Sequence, residues 1–370
     1  MILVKLLITI SFTGAKKLLL FSALLTICLL SSGQEISPAK RFTAFPFPLL
    51  YYSPETRIAY GVAGNATFRF QRDSQNVKPS NIVAGLAYTQ NKQLLLYSQF
   101  QVFYDNNNYY FFGEAGYYKY SYYFYGIGKA ETPKELYTVN YPRIKLNAAY
   151  KILPHIYAGV GYQFENYGIK SIKPQGALSS GNVPGSAGST TSGAGPLLLY
   201  DSRDSVLYPG KGWFGSVSFM NNGTFLGGNF NFSRIVLDLS HYGHLSKKFI
   251  LATNLYGSFV SGNAPFQQLS QLGGYKLMRG YYQGRFTDNN FAALQIEGRF
   301  PLFKRFGGVL FADGGFLGNQ QNLLRFNDFK YSYGTGLRYN VNRKDHLNIR
   351  LDYALGPKTS GFYFTIGEAF

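Results

Sequence analysis

Arg279, Glu297, Arg299 and Asp313 are the residues whose types and spacing could do chemistry in this chain. The chemistry they suggest is ion pairing. A guanidinium presents a planar fork that meets carboxylates through parallel hydrogen bonds, so Arg279 with Glu297 and Asp313 would make a clamp. A hydrolytic site would need a nucleophile with a histidine base in hydrogen-bond reach. The four histidines, His155, His241, His244 and His346, all fall at or near expected turns. His241 and His244 could hold a metal, yet no carboxylate or cysteine neighbour completes a ligand set, so both read as solvated turn residues. Gly185-Ser186-Ala187-Gly188 follows Pro184, which stands where a nucleophile elbow has its leading glycine. Pro209-Gly210-Lys211-Gly212 lacks the spacing and the hydroxyl of a phosphate-cradling loop and reads as a tight turn. The expectation is a protein that is no enzyme, with no catalytic residue, no metal and no cofactor.

The elements that must position the charged residues repeat with period 2. In Leu347-Asn348-Ile349-Arg350-Leu351-Asp352-Tyr353 the odd positions are apolar and the even ones polar. From Tyr331 to Val341, Tyr331, Tyr333, Leu337, Tyr339 and Val341 share one face, with Ser332, Gly334, Gly336, Arg338 and Asn340 on the other. Ala292, Leu294, Ile296 and Phe300 likewise leave Gln295, Glu297 and Arg299 facing the opposite way. Alternation of this kind is strand periodicity, with one face for an apolar medium and one for water. Before Asp313 both faces are apolar, so the period alone does not orient it.

Lys16 and Lys17 precede an apolar run, Leu18 to Leu30, and Ser31-Ser32-Gly33 offers small residues for cleavage. Residues 1–33 therefore read as a signal peptide, with the mature chain starting at Gln34. The sole cysteine, Cys28, lies in that run, so the mature chain has no disulfide or thiol chemistry. The run is too short for a transmembrane helix, which needs about 18 or more apolar residues. For an exported chain with 32 Tyr, 33 Phe, 42 Gly and only 15% charged residues, an antiparallel transmembrane β-barrel of outer-membrane type follows. Residues 34–42 would form a short periplasmic segment and 43–370 the barrel.

About sixteen strands fit between 43 and 370, the first at 43–52, where Pro46 and Pro48 suit only an edge. The eighth is expected at 196–204 and the last at 361–370. The long gaps, 121–137, 167–195, 260–289 and 317–328, follow odd-numbered strands, whereas gaps after even ones, such as 105–107 and 302–305, are short. That parity matches long outer loops and short periplasmic turns, with both termini periplasmic. Lys170–Pro196, rich in Gly, Ser, Thr and Pro, reads as a mobile outer loop. The formal charge of +18 falls to +15 once Lys5, Lys16 and Lys17 are removed. This excess points to anionic lipid head groups, lipopolysaccharide included, and to a polar lumen, with no nucleic acid as partner.

Leu272-Gly273-Gly274, Leu277-Met278-Arg279-Gly280-Tyr281, Glu297-Gly298-Arg299 and Phe311-Ala312-Asp313-Gly314-Gly315 occur in that order. Together they resemble the BamA/TamA-like outer-membrane assembly factors, the bacterial surface antigen family. Tyr200-Asp201-Ser202-Arg203-Asp204 with Tyr208-Pro209-Gly210-Lys211-Gly212 is similar to that family's turn motif, and Phe370 to its terminal aromatic. The resemblance covers roughly residues 196–370 by motif and the rest by pattern. It implies a sixteen-stranded barrel whose first and last strands meet in a short seam that can open sideways. It implies that Arg279, Gly280 and Tyr281 form the tip of a long outer loop folded into the lumen, with Glu297 and Asp313 as partners. Asp201, Arg203, Asp204, Pro209 and Gly212 would form the turn, and Phe370 the signal read by the cell's assembly machinery.

Family members that insert or translocate proteins carry periplasmic POTRA domains, and the stretch from Gln34 to the first strand has no room for one. Substrate capture would then be absent, unnecessary or supplied by a partner. The expected function is an accessory role in insertion or export of outer-membrane proteins, with client β-barrel proteins and POTRA-bearing or other periplasmic proteins as partners. The alternative is a structural subunit of an envelope complex, or a narrow pore without insertase activity.

Overall fold

The computed structural model describes residues 42–70, 77–128, 132–319, 321–323, 328–342 and 347–370. The expected signal peptide, residues 34–41 and His346 lie outside them. In chain order the strands are β1 (Phe42–Ser53), β2 (Arg57–Phe68), β3 (Ser80–Thr89), β4 (Leu94–Tyr104), β5 (Tyr109–Phe124), β6 (Glu135–Leu153), β7 (Ile156–Ser171), β8 (Ser189–Asp201) and β9 (Gly212–Asn222). They continue as β10 (Phe232–Ser246), β11 (Phe249–Gly262), β12 (Ser270–Leu272), β13 (Phe286–Asp288), β14 (Asn290–Phe303), β15 (Phe306–Gly318), β16 (Lys330–Asn342), β17 (Leu347–Gly356) and β18 (Thr359–Ile366). β12 and β13 form a small hairpin of their own, and the other sixteen close into one antiparallel barrel.

The side-chain alternation is realised as two faces. Leu294, Ile296, Tyr331, Tyr333, Leu337, Leu351 and Tyr353 lie exposed on the outside. Gln295, Glu297, Arg299, Ser332, Arg338, Arg350 and Asp352 are buried within. A charge on the lipid face at mid-depth costs roughly 2–4 kcal/mol, which is why the register places these residues in the lumen.

Most neighbouring strands are zipped along their length, as β5 and β6 are from Tyr109–Tyr150 to Phe124–Glu135. β1 and β18 are the exception, with one registered pair, Tyr52 and Phe364. Pro46 and Pro48 pair with Gly64 and Val62 of β2, and their other edge lies in the part of β1 without a registered partner on β18. A proline brings no N–H to a ladder, so this stretch of the seam is short of donors.

Three sequence expectations change. First, Lys170–Pro196 is not one mobile loop: β7 runs to Ser171 and β8 starts at Ser189. The chain between them is anchored by Leu178, 1% exposed among Tyr120, Phe124, Tyr137, Tyr141 and Phe266. The Glu135 carboxylate also accepts the Ala177 and Leu178 N–H groups at 2.7 and 3.3 Å. Small-residue composition here serves close strand packing. Second, two connections at the nominally short end, 69–79 and 202–211, are long, against 105–108, 247–248 and 304–305 at the same end. Third, the last strand stops at Ile366. The chain turns at Gly367, whose φ of +86° suits glycine alone without strain, and Phe370 leaves the face of Phe362 and Ile366.

Candidate functional site

The connection from β11 to β14, residues 263–289, folds into the barrel. Leu272, Met278, Tyr281 and Phe286 from it bury against Phe291 and Ala293 of β14 and Leu317 of β15. The lumen here is a packed core, and that packing holds the loop tip against the strand wall. At the tip, Gly280 has φ +101°, which favours glycine, and it lies against Ala354 and Leu355 of β17. The preceding Met278, fully buried, sits at φ +53°, a left-handed conformation that costs a non-glycine residue of order 1–3 kcal/mol.

Arg279 is 0% exposed. Its Nη1 donates to Glu297 Oε2 and to Asp352 Oδ2, each at 2.9 Å. Asp313 Oδ2 accepts the Arg279 backbone N–H at 3.2 Å and lies 3.9 Å from Nε. The guanidinium carbon stands 3.4 Å from the Phe311 ring centroid. The geometry therefore differs from a fork closing on one carboxylate: a single nitrogen bridges Glu297 and Asp352, and Asp313 holds the loop backbone. Burial alone would lower the Arg279 pKa, but Glu297, Asp313 and Asp352 outweigh it and raise it. The charge is permanent.

The network extends beyond the residues read from sequence. Arg299 Nε donates to Glu297 Oε1 at 2.8 Å. Arg338 donates to Asp352 and, at 2.7 Å, to Glu368. Arg350 lies 3.4 Å from Asp352 and donates to the Tyr275 carbonyl at 2.9 Å. Four arginines, 279, 299, 338 and 350, thus face four carboxylates, Glu297, Asp313, Asp352 and Glu368. Parity already put Arg338, Arg350 and Asp352 on the polar face. That they meet Arg279 is set by barrel closure, as is the inward turn of Glu368, which interrupts the alternating apolar set Phe362, Phe364, Ile366 and Phe370 in the sequence.

The same loop is tied to both strands of the weak seam. Gly280 N–H donates to the Tyr363 hydroxyl of β18 at 3.0 Å, and Thr359 Oγ1 donates to the Gly280 carbonyl at 2.7 Å. On the other side, Glu55, buried in the turn after β1, accepts the Gln283 N–H at 2.9 Å. Tyr281 donates its hydroxyl to the Tyr331 carbonyl at 3.0 Å.

Residues 84–370 match the Omp85 superfamily domain. The chain belongs to the Omp85 superfamily. Among solved structures this Omp85 barrel is similar to BamA from Haemophilus ducreyi lacking POTRA domains 1–3, with TM-score 0.61 and 14% identity, over 89% of this chain and 70% of that one. It is similar to CdiB from Acinetobacter baumannii, with TM-score 0.58 and 13% identity, over 89% and 60%. CdiB from Escherichia coli gives TM-score 0.57 and 11% identity, over 89% and 63%. The chain thus spans less than two thirds of either CdiB structure. At these identities the likeness is one of fold. No curated protein matches.

The turn residues of this Omp85 barrel sit apart from the clamp. Arg203 Nε and Nη2 donate to the two Asp201 oxygens at 2.9 and 3.2 Å, and Arg203 stacks on Phe214 at 4.4 Å. Asp204 Oδ1 accepts the Gly210 and Lys211 N–H groups at 2.9 and 3.3 Å, with Pro209 buried beside them and Gly212 opening β9. The link to the network is Arg299, whose guanidinium carbon lies 5.5 Å from the Tyr208 ring and whose Nη2 donates to the Phe370 carbonyl at 3.0 Å. Phe370 therefore closes the base of the lumen network. Asn348 and Arg338 draw Glu368 inward, which is the physical reason the terminus leaves the lipid face. His155 contacts the Asp201 carbonyl at 3.0 Å and His241 packs on Trp213. Among the described residues no three metal-binding side chains cluster.

Proposed function

We propose that this outer-membrane-type barrel assists insertion or export of outer-membrane proteins by offering the edges of β1 and β18 to a client strand. The observation that carries the reading is the seam with its one registered pair, Tyr52 and Phe364, in a barrel otherwise zipped. Unpaired strand edges are templates for β-augmentation. Resemblance to the assembly factors supplies the class of client, and lipopolysaccharide-rich lipid is its setting. Client β-barrel proteins and POTRA-bearing or other periplasmic proteins are the expected partners. Phe370 serves as this protein's own assembly signal.

The test is a seam lock. Tyr52→Cys with Phe364→Cys, oxidised in native membranes, should abolish co-purification of β-barrel clients, and reductant should restore it. Clients that travel equally with the locked barrel would overturn the reading. A fixed envelope complex indifferent to the lock would favour a structural subunit, and a stable porin-like current in planar bilayers would favour a pore.

A further inference from the structure

The network around Arg279 balances its charges inside the protein, but a second lumen cluster does not. A cavity of about 350 Å³ lies between the strand wall and the inward loop, lined by Arg143 and Lys145 of β6, Glu165 of β7, Arg234 of β10 and Lys276 of the loop. Glu114 and Glu165 serve Arg143, Lys145 and Arg234, while Lys276 is close enough to Asp238 for their charges to interact. Glu114 lies 3.4 Å from both Arg143 and Lys145, while Glu165 receives Arg143 Nε and stands 3.9 Å from Lys145. Asp238, further along β10, is engaged by Asn254 at 2.6 Å and does not line the cavity.

Two carboxylates among three cations leave one positive charge in excess, and Arg234 has the unpartnered donor. Arg234 donates Nη2 to the Gln268 carbonyl, and its buried Nε has no partner among the described residues. Lys276 forms no ion pair among them, and its Nζ lies 5.9 Å from the Tyr275 ring. A buried guanidinium nitrogen without a partner is costly. Arg234 turned to the cavity, with the exposed Lys276 at its rim, makes a site for an anion that the protein does not itself supply.

The remaining walls define what that anion carries. Gln271 and Gln283 contribute amides, Ser258 and Ser270 hydroxyls, and Tyr256 a ring, groups suited to a polyhydroxylated body. The volume exceeds what a bare phosphate fills and is too small for a lipid with its acyl chains. We infer that this cavity binds a soluble, phosphorylated, sugar-sized anion, its phosphate held by Arg234 and Lys276 and its hydroxyls by the glutamine and serine walls. The site is independent of the seam and of any client.

Titration calorimetry on the folded barrel in detergent, with glucose 6-phosphate as probe and glucose as control, tests this. Glucose 6-phosphate should bind and glucose should not. Arg234→Gln with Lys276→Gln, verified folded by faster gel migration when unheated, should weaken binding about tenfold or more, since each lost partner is a charged hydrogen bond. Glu114→Gln, which frees Lys145, should tighten it and decides the matter should the double variant fail to fold. Absence of glucose 6-phosphate binding, equal binding of glucose, equal affinity in the folded double variant, or no tightening in Glu114→Gln would each overturn the inference.

Discussion

The wall formed by β14 to β17 and the seam between β1 and β18 hold the same loop in opposite ways. On the wall, Arg279 is enclosed by Glu297, Asp313 and Asp352 and stacked on Phe311, on strands paired along their length. At the seam the strands share one registered pair, and the loop adds single hydrogen bonds from Glu55 on one side and from Tyr363 and Thr359 on the other. The difference teaches where cohesion resides. The wall holds the loop, and the loop helps hold a seam that its own ladder barely closes. The seam is held by its one registered pair, by the Tyr52–Phe362 ring contact at 5.7 Å and by these few hydrogen bonds, none of which involves the clamp carboxylates.

Breaking the wall side should have the largest effect. Arg279→Ala leaves Glu297 and Asp352 short of a partner, a loss of about 3–5 kcal/mol for a buried pair and less where the lumen is wet. Heat-modifiable mobility should fall to lower temperature and the loop should become open to external protease. Unchanged melting would remove the clamp. Double-mutant cycles sharpen this: Arg279→Ala with Glu297→Ala should fall well short of additivity, whereas Arg279→Ala with Asp313→Ala should couple more weakly, because Asp313 mainly holds the backbone N–H. Equal coupling in both cycles would contradict the geometry.

The seam side should respond less. Glu55→Ala loses one hydrogen bond, about 1 kcal/mol, and should raise spontaneous seam opening, read as slower Tyr52→Cys/Phe364→Cys cross-linking, with barrel melting little changed. Glu55 also gives a pH dependence. Burial raises its pKa above the usual carboxylate value, against the lowering by the Gln283 N–H. A raised folded pKa means that its contribution is full below the unfolded value of about 4.3 and is lost as pH rises through the folded pKa. Cross-linking should therefore slow as pH increases through that window, and Glu55→Gln should flatten the profile. A flat wild-type profile would dismiss the latch. The smallest effect on folding is expected from deleting Phe370. Arg299 keeps Glu297, so the barrel should still fold in detergent, while outer-membrane levels should drop. Normal levels would end the assembly-signal reading.

Much of this was legible along the chain. Period 2 gives the strands because side chains alternate across a pleat, and it put Glu297, Arg299, Arg338, Arg350 and Asp352 on the polar face without any knowledge of their neighbours. The ordered motifs around Arg279, Glu297 and Asp313 pointed to a loop in the lumen. Composition misled at 170–196, where glycine and serine spell flexibility in isolation but Leu178 finds an aromatic pocket assembled from β5, β6 and the inward loop. Alternation misled at the C-terminus, because a local period contains no information about Arg338 and Asn348 waiting to draw Glu368 inward.

The sequence by itself determined the strands, their faces and the barrel, since each depends on residues near in the chain or on the cost of placing charge in lipid, while the loop tip was indicated by the resemblance to the assembly factors. The tertiary structure alone decided which carboxylates meet Arg279, that Glu55 and Tyr363 reach one loop from opposite sides of the seam, and that Arg234 and Lys276 line one cavity. Those outcomes depend on closure, which sets residues more than 70 positions apart side by side, as Arg279 and Asp352 are, and no periodicity along the chain encodes that distance.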